Sequence, residues 1–397
     1  MKMLKLNSIC LFSHCTALFF AFAVTALAQE YTNRQEIVQD KELWQDFVIQ
    51  GEYLNSDGCE TCLDVGNMGM HLIADGDGKF RVVGLAGGLP GDGWKAGYVR
   101  VLGTAQINGG ELLFTMTEAV GMVRGKEVKM SQEFERKGTF TIVSSQRPEG
   151  EVCEKCGGSG QCRQPFHSPD VVIAVPFQEM YFMRRDRVSP TFDMQPPEGA
   201  IVLFDGTNVD NFPGASMNEL KMSDSAEESQ EQPATMNTLW AGATSKPLEN
   251  RPYTMHLEFM LSYMPQASEQ ARSNSGVYID ERYELQVLDS FGLKEQDNEC
   301  GGFYQVAAPL LNMCFPPLAW QTYDIDFTPA SWDGDKKVEN ARITVKHNGV
   351  LIHDNIELKS NTPGGKPESP EPLGVHLQGH GNKVQYRNLW VQYKNLP

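Results

Sequence analysis

The chain has 397 residues and a formal charge of −17, with 51 acidic against 34 basic side chains. A surface that acidic repels phosphate backbones, which argues against nucleic acid as a partner. The length exceeds the usual single-domain size, so two domains are expected.

The first residues, Met1-Lys2-Met3-Leu4-Lys5, are followed by the apolar run Ala17-Leu18-Phe19-Phe20-Ala21-Phe22-Ala23-Val24 and the small-residue ending Ala26-Leu27-Ala28. A basic start, a short apolar core and an A-x-A ending read as a secretory signal over residues 1–28, cleaved before Gln29. No later segment is apolar for the ~18 residues a membrane helix needs. The expected mature protein is soluble, without a membrane span, and exported to the periplasm or the extracellular space. Loss of Lys2 and Lys5 makes it more acidic still.

Residues 29–188 read as a β-rich module. Phe47-Val48-Ile49-Gln50-Gly51-Glu52-Tyr53, Phe80-Arg81-Val82-Val83 and Thr139-Phe140-Thr141-Ile142-Val143 are β-branched or aromatic, and Gly87-Gly88-Leu89-Pro90-Gly91-Asp92-Gly93 is a loop. A short helix is expected between Glu36 and Trp44. The proline-rich stretch 189–198 is the expected linker. Residues 199–397 begin a second β pattern with Ala200-Ile201-Val202-Leu203-Phe204. Ala341-Arg342-Ile343-Thr344-Val345-Lys346-His347 alternates and Asn348-Gly349 supplies a hairpin turn before Val350-Leu351-Ile352. The stretches Ser223 to Pro233 and Asn361 to Pro372 read as solvated loops. The fold class is all-β, with a sandwich or jelly roll in the second half.

Nine cysteines are present, of which Cys10 and Cys15 fall in the signal. Cys59-x-x-Cys62 and Cys153-x-x-Cys156 have the spacing of a four-thiolate zinc site, and Cys162 follows six residues after Cys156. Export favours disulfides, so structural zinc and disulfides stand as alternatives. Cys300 and Cys314 either pair or sit close as reduced thiols.

The last third carries the chemistry. Alternate residues of a strand share a face, so Glu284 with Gln286, and His376 with Gln378 and His380, project to one side while Leu285, Val287 and Leu377 point to the other. A polar cleft over an apolar core suits a sugar-like ligand and proton transfer. Glu284-Leu285-Gln286-Val287-Leu288-Asp289 is near the E-x-D-x-x-E strand of laminarinase-type glucanases. Its middle acid is an amide, however, and Asp289 falls on the opposite face unless a bulge turns it. A two-carboxylate glycosidase mechanism is therefore poorly supported.

From Gly199 onward the chain resembles the 3-keto-disaccharide hydrolase domain family, formerly a domain of unknown function. The residues that carry the resemblance are Leu203-Phe204-Asp205-Gly206-Thr207, Ser273-Asn274-Ser275-Gly276-Val277-Tyr278, Arg282 through Ser290, Pro309, Trp320-Gln321-Thr322-Tyr323-Asp324, His347-Asn348-Gly349-Val350, Leu377-Gln378-Gly379-His380-Gly381 and Arg387-Asn388. Gly379 stands where the family pattern has Asp. The resemblance implies a concanavalin-like jelly roll and a carbohydrate substrate with a ketone at C3, which acidifies the hydrogen at C2. A base removes that proton, the C1 oxygen is expelled, and water adds back. On this reading His380 or Glu284 is the base and the other is the acid or a metal ligand, while Asp289 orients a partner or a bound divalent cation. Asn274, Arg282, Gln286, Tyr304, His376 and Gln378 are the expected substrate contacts, and Trp320 is expected to pack. The competing readings are a glycan-binding protein on the same fold and an interaction protein of the cell envelope.

Overall fold

The computed structural model describes residues 28–55, 67–123, 125–131, 134–143, 170–175, 180–221 and 235–394. The expected signal segment up to residue 27, Cys59, Cys62, Cys153, Cys156, Cys162 and the 223–233 stretch expected as a loop lie outside the described residues.

One helix, α1 (Lys41–Ile49), opens the N-terminal half. Asp40 caps it, its Oδ1 accepting from the amides of Glu42 and Leu43 at 3.0 Å each, which satisfies donors that a helix start leaves without partners. The run Phe47-Val48-Ile49, which reads as strand in the sequence, forms the last turn of α1. Its three side chains are buried in the N-terminal core, and that packing outweighs their β propensity.

Nine strands of five residues or more follow among the described residues: β1 (Gly51–Asn55), β2 (Met68–Gly76), β3 (Lys79–Ala86), β4 (Arg100–Asn108), β5 (Glu111–Val123), β6 (Lys126–Met130), β7 (Phe134–Val143), β8 (Asp170–Val175) and β9 (Met180–Arg185). They pair antiparallel in the order β4-β3-β2-β1-β9-β8-β7-β5, and β5 pairs back onto β4. Eight strands thus close a ring, with β6 extending β5. Tyr53, Leu72, Phe80, Val82, Leu112 and Phe114 cluster with Phe47 and Ile49, as a ring of eight strands allows when side chains fill it.

The second half contains β10 (Ile201–Phe204), β11 (Met217–Lys221), β12 (Thr235–Trp240), β13 (Ala243–Thr244), β14 (Tyr253–Met260), β15 (Ser275–Ile279), β16 (Tyr283–Val287), β17 (Trp320–Thr328), β18 (Ala341–His347), β19 (Val350–Leu358), β20 (His376–Leu377) and β21 (Gln385–Tyr393). The larger sheet runs β11-β12-β21-β14-β17-β18-β19, with β10 on β21, and the smaller runs β13-β20-β15-β16. Leu257, Phe259, Ile325 and Val345 of the first meet Val277, Leu285, Val287 and Leu377 of the second in one core. Burying each such side chain stabilises the fold by ~1.5–3 kcal/mol. Asn348 and Gly349, at φ 49° and 76°, form the β18–β19 turn, where two positive φ values match the strand twist.

Segment 189–198 is not a free linker. It straps across the outer face of the larger sheet, where alternation places His256 and Glu258. Ser189 Oγ lies 2.6 Å from Thr322 Oγ1, Thr191 donates to Asp324 at 2.7 Å, and the Asp193 amide donates to Glu258 at 2.6 Å. Arg387 bridges Glu258 and Asp193 at 2.7 and 2.6 Å.

The ring and the sandwich share apolar contacts. Ile73, Val83, Leu85, Leu89 and Trp94 belong to the same cluster as the sandwich core. Tyr31 and Tyr263 exchange backbone hydrogen bonds at 3.0 and 2.8 Å. Cys300 and Cys314 are buried free thiols, the second of the two expected arrangements.

Candidate active site

The β15–β16 hairpin turns at Asp280 and Glu281, both at positive φ, and its register sets Tyr278 opposite Glu284 and Gly276 opposite Gln286. β20 adds His376 beside Tyr278. Val277, Leu285 and Leu377 enter the core, so Tyr278, Glu284, Gln286 and Gln378 are left on the outer face of the smaller sheet. They line a cleft of about 430 Å³ together with Gln270, Asn274, Asn298, Tyr304 and His380.

Glu284 is 6% exposed. Burial pushes its pKa up to about 7, against a smaller opposing pull from the Tyr278 hydroxyl, which donates to Oε2 at 2.9 Å. Burial and the neighbouring Glu284 push Tyr278 up in turn. Gly276 makes room for the carboxylate, since a Cβ there would fall 2.5 Å from Oε1.

The amides form a connected set. Asn274 Nδ2 donates to Gln270 O at 2.8 Å and to Gln270 Oε1 at 3.2 Å, and Gln286 Nε2 donates to Gln270 Oε1 at 3.1 Å. Gln378 Nε2 lies 3.4 Å from the Tyr278 hydroxyl. The carbonyl oxygens of Asn274, Gln286 and Gln378 are buried in the cleft wall with no protein partner. Each such orphan costs about 1–3 kcal/mol unless a ligand donor reaches it.

The structure therefore brings together Glu284, His380, Asn274, Gln286, Tyr304 and Gln378, with His380 exposed at the lip. Three expected residues fall elsewhere. Asp289 lies past the end of β16, where no bulge turns it back, and it pairs with Arg272 at 2.5 Å. Arg282 is spent anchoring the 361–372 loop, through Pro367 O at 3.1 Å, Ser369 at 2.7 Å and Glu371 O at 2.9 Å. His376 Nδ1 bonds Thr244 Oγ1 at 2.8 Å beside the cleft. Trp320 is buried and packs with Met260 and Leu220. Gln270, Tyr278 and Asn298 were missing from the expected set. Tyr278 has the strand parity of an outward residue between Val277 and Ile279, whereas Gln270 sits on a 3-10 turn (Glu269–Ala271) without periodic signal.

Residues 199–392 match the family of the 3-keto-alpha-glucoside-1,2-lyase-like domain. This half of the chain belongs to that family. No curated protein matches the chain in sequence. Among solved structures, a candidate glycosyl hydrolase from Parabacteroides distasonis ATCC 8503 is similar at 23% identity, over 50% of this chain and 84% of that one, with a TM-score of 0.39. An engineered GH43 glycoside hydrolase with endo-xylanase and exo-arabinofuranosidase activity shows 7% identity, over 82% of this chain and 83% of that one, with a TM-score of 0.25. Within the lyase-like domain, Glu284 is the one carboxyl group among the described residues that line the cleft. Among the described residues, no three His, Cys, Asp or Glu side chains gather as a metal site.

Proposed function

We propose that the chain is an exported carbohydrate-active enzyme that cleaves 3-keto-glycosides by elimination across C1 and C2. One observation carries this reading: among the described residues a single carboxyl group, poised near neutrality, stands in a cleft walled by amides. A two-carboxylate glycosidase needs an acid and a base or nucleophile on opposite sides of the bond, and this cleft offers one such group. A ketone at C3 lowers the demand to one base.

Ionised Glu284 takes the C2 proton, and the C2–H electron pair becomes the enolate over C2, C3 and the ketone oxygen. With Glu284 protonated, the Tyr278 hydroxyl at 2.9 Å is released to donate to the enolate. The enolate then re-forms the ketone, C1=C2 closes, and the C1–O bond breaks. His380, exposed at the lip where an aglycone departs, protonates the leaving oxygen. Addition of water across C1=C2 completes a net hydrolysis.

An active-site cation fits less well. A hard divalent ion takes six to eight oxygen ligands and draws affinity from carboxylate charge, whereas this wall holds one carboxyl and neutral amides. Sugar hydroxyls match it better.

The test is product formation from a 3-keto-disaccharide beside its unoxidised parent, with and without a chelator. Cleavage of the keto sugar alone is expected, unaffected by chelation and lost in Glu284→Gln. Cleavage of the parent sugar at equal rate would overturn the reading. Saturable binding without cleavage of either would make the chain a glycan-binding protein.

A further inference from the structure

Part of the hydrogen-bond polarity of the cleft turns on Gln270, a side chain outside the family motif residues. Gln270 Nε2 donates to the backbone carbonyl of Asn298 at 2.9 Å, a group that can only accept. That bond decides which way the Gln270 amide points, and its Oε1 must face Asn274 and Gln286. Both answer with their NH2 groups, at 3.2 and 3.1 Å. The second donor contact of Asn274, to Gln270 O at 2.8 Å, fixes the same orientation independently. The oxygens of Asn274 and Gln286 are therefore the atoms left unpartnered, and Gln378 adds a third. Together with Glu284 they make a wall that accepts hydrogen bonds. No Lys or Arg stands among the described residues lining it.

We propose that Gln270 is a positioning residue that sets this acceptor polarity, so that the site takes sugars bearing hydroxyl or amino groups and refuses those bearing a carboxylate or sulfate. A ring hydroxyl or ammonium supplies the donors that the orphaned oxygens lack. An anionic substituent brings acceptors to acceptors and sets a like charge near Glu284. The inference rests on the reading of the cleft as a sugar site, but it concerns binding and needs no turnover.

The experiment measures binding of methyl glucoside, methyl glucosaminide and methyl glucuronide to the full chain and to Gln270→Leu and Gln270→Glu, by calorimetry, with thermal melts confirming that each variant folds. The full chain should bind the first two and bind the glucuronide at least about tenfold more weakly. Gln270→Leu removes the side-chain acceptor that holds the Gln286 amide, while Asn274 keeps its bond to the backbone carbonyl of residue 270, so the ratio should fall several-fold without reaching unity. Gln270→Glu keeps an acceptor for both NH2 groups but sets a carboxylate oxygen against the Asn298 carbonyl and adds a charge that itself repels the glucuronide, so it is read on the neutral sugar alone, whose binding should survive. Glucuronide binding as tight as glucoside, or an unchanged ratio in folded Gln270→Leu, overturns the proposal. Binding that follows the predicted order with no cleavage of a 3-keto-glucoside would retain it and sink the elimination reading. Equal cleavage of 3-keto-glucosides and their uronate counterparts would do the reverse.

Discussion

Gly276 lies directly beneath the Glu284 carboxylate, so closely that a Cβ on the glycine would stand 2.5 Å from Oε1 and 3.1 Å from Cγ. The backbone of Gly276 is not in the left-handed region, so the requirement is for space and not for conformation. Gly276→Ala should displace the carboxylate and lower kcat/KM about a hundredfold, as misplacement of a reacting group by an ångström does. Steady-state kinetics on the alanine variant, on Glu284→Gln and on the double variant would check this. The two losses should be far from additive, because both remove the same group.

Glu284 should write its titration into the rate. A base must be ionised, so kcat/KM should rise with pH through about 7 and then level, and Glu284→Gln should lose that limb with roughly a hundredfold to ten-thousandfold of rate. A limb falling above 7 would make Glu284 the acid instead. Stability moves the other way. The folded pKa of about 7 exceeds the usual 4.5, so the folded state holds the proton longer, and stability should fall as pH rises between those values. Denaturant melts of Glu284→Gln across that range should show a shallower decline.

The alternation that places Glu284 and Gln286 on one face was legible because strand period alone decides it, and β16 is an uninterrupted strand. Gln270 and Asn298 were not, since their positions depend on loop conformations with no repeating pattern. Asp289 is set on the opposite face by strand parity and was brought to the site only by the family resemblance, and beyond the end of β16 Arg272 claims it. The closure of the N-terminal ring was equally hidden. It depends on β1 meeting β9, with Glu52 opposite Arg185, and no local signal couples residues so far apart.

The strap over the larger sheet should be pH-sensitive. His256 is deeply buried, which alone would lower its pKa, but Asp324 at 2.7 Å and Glu258 at 3.4 Å outweigh burial and raise it. Arg387, stacked Trp390 and the strap hydroxyl of Thr191 complete the surroundings. With a folded pKa above the ordinary 6.5, the ion pairs stabilise fully below about 6.5, and that contribution is lost as pH rises through the folded value. Hydrogen exchange of amides in 189–196 should quicken over that rise. His256→Phe should abolish the dependence and cost about 3 kcal/mol, because it leaves two carboxylates short of a partner.

Glu30 braces the lip. Its Oε1 accepts from Ser262 Oγ at 2.6 Å and from the Lys383 amide at 2.5 Å, tying the start of the described chain to the loop that carries His380. Glu30→Ala should raise KM for a 3-keto-glycoside about tenfold, in line with the ~1.5–3 kcal/mol of hydrogen bonds to a charged group. Glu30→Gln, which keeps an acceptor oxygen, should recover most of that loss. Equal KM values for both variants would show that the brace is irrelevant to the site.

The apolar cluster that joins Ile73, Leu85 and Trp94 of the ring to the sandwich has a consequence for where the protein can be divided. A cut at the family boundary would bare that surface and unhook the strap, so the matched segment is a unit of descent without being a unit of folding. Heat should take the whole chain apart in one calorimetric transition, and the matched half expressed alone should be insoluble.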